Sequence, residues 1–155
     1  MTRKWRLAAA PPLLLLLGSS LRGEFLSVEM QFGGLDCPSC RDSLESTFRR
    51  IRGVEDVQVA RDRQVIRLQL KEGNRVRLER LRDALKGLGY TPGEATVEVR
   101  GKASGDRLDV SGFEPAYVLK LEPAKQSDNA SLWRGVIPYS ANPHEPLTLK
   151  LFDGR

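Results

Sequence analysis

The sequence predicts an α+β fold: a βαββαβ unit over residues 27–100, followed by a small all-β extension. Three observations carry this. Short period-2 runs stand at four places in the first two thirds of the chain. Two runs with helical spacing, each closed by a glycine, separate them. Beyond residue 106 the pattern is strand-like throughout, punctuated by prolines and without a helical period.

The elements follow in order. Val28, Met30 and Phe32 alternate with polar residues, the mark of a half-buried strand. Gly33-Gly34 breaks that run, and Pro38 suits the first turn of a helix, where its missing N–H is not needed. Cys40, Leu44, Phe48 and Ile51 then recur at helical spacing up to Gly53, a residue type that commonly ends helices. Val57 and Val59 lie on one face of a second strand, Val54–Ala60. Ile66, Leu68 and Leu70 alternate in a third, and Arg61-Asp62-Arg63 between them makes a hairpin turn. Leu78, Leu81, Leu85 and Leu88 define a second helix, stopped at Gly89. Val97 and Val99 mark a fourth strand over 95–100. This order is the ferredoxin-like sandwich: a four-stranded antiparallel sheet with two helices on one face.

The run Gly101-Lys102-Ala103-Ser104-Gly105-Asp106 breaks the composition, so residues 102–106 are expected as a linker and 21–101 as a domain. Strands are expected near 107–110, 116–121, 132–137 and 147–152. A β-rich segment over 107–155 with no cysteine is small for folding alone. It is either a small β domain or a tail that docks on the first domain. Trp133 is expected in its core.

Composition narrows the function. The chain has 155 residues, 40% hydrophobic and 29% charged, ordinary for a globular protein. Its formal charge of +5 is concentrated at the start, in Arg3, Lys4 and Arg6. Without residues 1–20, 22 basic residues face 20 acidic ones, a net +2 that gives no strong case for a nucleic-acid partner. Residues 1–20 read as a cleaved signal peptide: a basic start, the apolar run Leu7–Leu17, and Gly18-Ser19-Ser20 for cleavage. The apolar run has 11 residues, against the ~20 that span a bilayer as a helix. The expectation is a periplasmic or secreted protein without a membrane span once the signal is removed, with an uncleaved anchor as the alternative.

The chain has two cysteines, Cys37 and Cys40, spaced Cys-x-x-Cys between the first strand and the first helix. A disulfide across so short a loop would stabilise the fold little, because loop-closure stabilisation grows with loop length. The spacing favours metal or redox chemistry. A helix start offers unpaired N–H groups and the positive end of the helix dipole, which favour the thiolate, the form that binds metal. Two soft sulfurs suit Cu(I), Zn(II), Cd(II) or Hg(II) and not Mg(II) or Ca(II). With two protein ligands the ion stays open to an incoming thiolate, whereas structural zinc is closed by four.

Residues 27–100 resemble the heavy-metal-associated (HMA) domain family, the module of copper chaperones and metal-transporting ATPase tails. The family motif Gly-Met-x-Cys-x-x-Cys stands here as Gly34-Leu35-Asp36-Cys37-Pro38-Ser39-Cys40, with Leu35 for the usual Met. Gly53-Val54 and Gly89-Tyr90 also fit. The resemblance implies a non-enzymatic carrier of one soft transition-metal ion, with Cys37 and Cys40 as ligands and a metal-transporting protein or metallochaperone as donor or acceptor; export is the separate expectation from residues 1–20. It places Leu35 and Tyr90 around the ligands, Leu35 packing under the loop. Asp36 is a candidate further ligand that leans toward divalent ions such as Zn(II), or else a helix-capping residue. Tyr90 leans toward copper, or else packs in the core.

Two other functions are weighed. A thiol–disulfide oxidoreductase would use Cys37 as nucleophile and Cys40 as resolving thiol. However, 16 residues between Ser20 and Cys37 leave no room for the strand and helix that usually precede such a motif. An interaction module would act through the β-rich tail, in which no ligand motif is evident. The one histidine, His144, lies in a Pro-rich loop and reads as solvated.

Overall fold

The computed structural model describes residues 24–34, 40–60, 62–110, 117–123 and 131–152. The order is β1 (Glu24–Gly33), α1 (Cys40–Arg49), β2 (Val54–Ala60), β3 (Val65–Leu70), α2 (Leu78–Gly87), β4 (Thr91–Ser104), β5 (Arg107–Val110), β6 (Tyr117–Glu122), β7 (Ser131–Ile137) and β8 (Thr148–Leu151). The βαββαβ order is therefore present. The signal-peptide residues lie outside the described residues. No helix among the described residues is long and apolar enough to cross a membrane.

All eight strands belong to one sheet. Its order is β2-β3-β1-β4-β5-β6-β8-β7, and β7 pairs again with β4. The first four strands have ferredoxin-like pairing, all antiparallel. The second half differs from the expected small extension. β4 is longer than the predicted 95–100 and continues through Ser104. Lys102–Ser104 pair with β5, and Gly105-Asp106 form the two-residue turn between Ser104 and Arg107. The segment expected as a linker is thus the end of one strand and a hairpin turn. From β5 the pairing passes to β6, to β8 in parallel, to β7 antiparallel, and back to β4 over residues 95–101. The result is a closed, barrel-like ring of five strands that shares β4 with the ferredoxin-like half.

Register explains the core. Across the sheet, Val57, Leu68, Val28 and Val97 fall in one row, and Val59, Ile66, Met30 and Ala95 in the next. All eight are buried. Alternation puts Glu29, Arg67 and Glu98 on the other face, where Glu29 and Arg67 pair at 2.5 Å and Arg134 reaches Glu98 at 2.9 Å. Leu44 and Phe48 of α1 and Leu78, Leu81 and Leu85 of α2 join the same core. So do Leu108, Val110, Leu119, Leu121 and Leu149 from the ring, so one continuous apolar cluster serves both halves. Trp133 packs at the edge of this cluster and donates from Nε1 to the Gly101 carbonyl at 3.1 Å. A Cβ at Gly101 would stand 2.7 Å from the Asp109 carbonyl oxygen, so the close approach of β5 there requires glycine.

Polar contacts fasten α2 to the ring. Tyr117 Oη donates to Glu79 at 3.0 Å, and its ring packs edge-on against Phe25 with centroids 5.8 Å apart. Arg82, buried on α2, donates to the carbonyls of Ile137 at 3.2 Å and Pro138 at 3.0 Å.

Candidate functional site

β1 ends at Gly33 and α1 begins at Cys40, so the Cys-x-x-Cys segment spans the β1–α1 connection. Leu35, Asp36 and Cys37 lie outside the described residues. Cys40 is the first residue of α1, and nothing further is described of its side chain. Asp42 in the first turn and Arg49 in the last both match the helix dipole. Among the described residues, no group of three or more His, Cys, Asp or Glu side chains could hold a metal.

The approach to the connection is described in detail. Gly34 has φ +130°, a conformation that favours glycine. A Cβ on Gly34 would lie 3.4 Å from the Gly89 carbonyl oxygen and 3.5 Å from Tyr90 Cδ1. Tyr90 thus sits beside the first residue of the segment that carries the cysteines. It is buried, and its ring packs T-shaped on Phe32 with centroids 5.2 Å apart. The position is that of a core residue in contact with Gly34. The motif elements Gly34 and Gly89-Tyr90, 55 positions apart in sequence, are brought into contact because β4 starts at Thr91 and pairs Thr91 with Gly33.

His144 is exposed, and its backbone N–H donates to Asn142 Oδ1 at 3.0 Å in the Pro-rich loop. This agrees with a solvated histidine.

Sequence reasoning missed three features. Arg82 is buried with its Nε lacking a partner, and burial lowers its pKa from the ordinary arginine value. Its signal was available, since Leu78, Leu81, Arg82 and Leu85 share one helical face. Glu24 is also buried. It accepts from Arg100 at 3.0 Å and from the Gly73 N–H. The third is a groove of about 800 Å³ bounded by the end of α1, the start of β2, the turn after β3 and the start of α2, and rich in arginine.

No protein-family model matches the chain. The copper chaperone CopZ of Staphylococcus haemolyticus (strain JCSC1435) is 33% identical over 57 residues, covering 37% of this chain and 82% of the chaperone. Through an HMA segment the chain belongs to the family of that copper chaperone. Similar solved structures include a CopZ metallochaperone, 23% identical, covering 43% of this chain and 97% of that one with a TM-score of 0.40. The N-terminal domain of PacS from Synechocystis PCC6803 is 23% identical, with coverage of 43% and 91% and a TM-score of 0.37.

Proposed function

We propose that this chain is an exported carrier of a soft metal ion, Cu(I) before Zn(II), which it holds between Cys37 and Cys40 and passes to a metal-transporting protein. The observation that carries this reading is its kinship with a copper chaperone, in a chain whose Cys-x-x-Cys pair follows β1 in sequence and ends on the first residue of α1. The chemistry agrees. A thiolate near a helix start is favoured by the dipole, and two sulfurs match a soft cation. A pair of ligands leaves the ion open on one side. An incoming thiolate forms a new sulfur–metal bond there as the bond to one cysteine breaks, and a second exchange completes the hand-over. The signal-like residues 1–20 support export, with a retained anchor as the variant of that reading.

Asp36 tunes the choice of ion in this reading: a carboxylate oxygen is acceptable to Zn(II) and poor for Cu(I). Tyr90 gives the segment a rigid apolar border through its packing on Phe32.

The test is titration of the reduced protein with Cu(I) and Zn(II), followed through sulfur-to-metal charge-transfer absorption. The expected outcome is one ion per chain, lost in Cys37→Ser and in Cys40→Ser with far-UV dichroism unchanged. Undiminished uptake by both variants, or none by the parent, overturns the proposal. In the same titration Asp36→Thr lowers the Zn(II)/Cu(I) affinity ratio. An unchanged ratio removes Asp36 from the ligands of the ion.

A further inference from the structure

Arg49, Arg50, Arg52, Lys71, Arg75 and Arg80 line the groove at the end of α1, and Glu72 is the one acid among its lining residues. Arg49 is engaged by Asp56 at 3.5 Å. The side chains of Arg50, Arg52, Lys71, Arg75 and Arg80 are exposed and make no ion pair among the described residues. The near-neutral balance of residues 21–155 therefore hides a concentrated positive pole.

The same pole receives the N-terminal end of β1. The Gly73 N–H donates to Glu24, and Asn74 Nδ2 donates to the Phe25 carbonyl at 2.8 Å. Gly73 and Asn74 both line the groove. Six residues separate the apolar run ending at Leu17 from Glu24, a span of at most ~22 Å when fully extended. At the other end of β1, whose 10 residues extend ~30 Å, begins the segment with the cysteines.

From this arrangement we infer that the positive pole is a docking surface for an anionic bilayer, its arginines and lysine meeting lipid phosphates and the cysteine segment held at the far end. The inference does not depend on metal binding. A phosphate-rich surface matches cations spread over a shallow groove. In the form that keeps residues 1–20 as an anchor, the proximity of the apolar N-terminal run favours a membrane over a nucleic acid, because any bilayer that takes up the run lies within reach of this pole. At the distance of the cysteine segment, several Debye lengths at physiological salt, the membrane's field is screened.

The experiment is co-sedimentation of the full chain with vesicles of phosphatidylcholine alone or mixed with phosphatidylglycerol, at low and high salt. The expected result is salt-sensitive binding that requires phosphatidylglycerol. The triple variant Arg50→Gln/Arg52→Gln/Arg75→Gln should bind about 100-fold more weakly, at roughly fivefold per cation, with its dichroism spectrum intact. Equal binding by variant and parent would assign the effect to the N-terminal run and overturn the inference. So would equal binding to neutral vesicles. Release by inorganic phosphate at matched ionic strength would make this a free-anion site, and stronger binding to duplex DNA would make it a nucleic-acid surface; either result also overturns it.

Discussion

Ile137→Ala tests whether the two halves form one folding unit. Ile137 is the last residue of β7, has 0% relative exposure, and pairs with Ala95 of β4. Its carbonyl accepts from Arg82, a contact the substitution leaves in place. Deleting three carbons from such a site costs ~2–5 kcal/mol. Taking ~3 kcal/mol and a urea m-value of ~2 kcal/mol/M, the midpoint falls by ~1.5 M. The two halves carry separate reporters. Far-UV dichroism follows α1 and α2. Fluorescence in a Trp5→Phe background follows Trp133 in β7. With one apolar cluster and a shared β4, both signals should move together by the same amount. A fluorescence transition that shifts while the helical signal stays at its original midpoint would refute the reasoning and restore two independently folding domains.

Tyr117→Phe should cost ~1 kcal/mol at neutral pH, because the hydrogen bond to Glu79 is lost while the ring keeps its contact with Phe25. Burial, and then the Glu79 carboxylate, raise the Tyr117 pKa above its ordinary 10.0, so its neutral form stabilises the fold below that pH and the contribution is lost as pH rises beyond it. Parent protein should therefore show a steeper alkaline loss of thermal stability above pH ~10 than Tyr117→Phe; parallel curves would contradict this. Glu24→Ala should destabilise by ~1–3 kcal/mol, since it leaves the half-buried Arg100 and the Gly73 N–H without their buried acceptor. Glu24→Gln, which keeps an acceptor, should cost less in urea denaturation, and the reverse ranking would contradict the assignment.

Much of the fold was written in local periodicity. Val28, Met30 and Phe32 announce β1, and Leu78, Leu81 and Leu85 announce α2, because each element buries one face. The ring strands were also legible one by one. Their closure was not, since alternation specifies which face of a strand is buried and not which strand lies beside it. The fourth strand, expected over 95–100, begins at Thr91 and runs through Pro92-Gly93, with a register shift against β1 between Met30 and Phe32. Gly101–Asp106 looked like a linker by composition, while Gly101 answers a close approach of β5 and Gly105-Asp106 is a hairpin turn. The hairpin signal was present: a two-residue Gly-Asp loop between alternating runs. At the candidate site, spacing alone set the cysteines at a strand–helix junction. The contact of Gly34 with Tyr90 depends on pairing across 55 positions and lay beyond any local pattern.

The ring changes what β4 can do. A ferredoxin-like sheet by itself ends in a strand whose amides and carbonyls face solvent, and such a strand can recruit another chain by backbone pairing. Here β7 occupies that side from Ala95 to Gly101. The free margin of the ferredoxin-like half is then β2, where Glu55 and Gln58 are exposed and Asp56 carries a charge held by Gln58 and Arg49. Charged margins resist strand-on-strand growth. The C-terminal strands thereby act as a built-in guard against fibril-like stacking along the β4 side of the sheet.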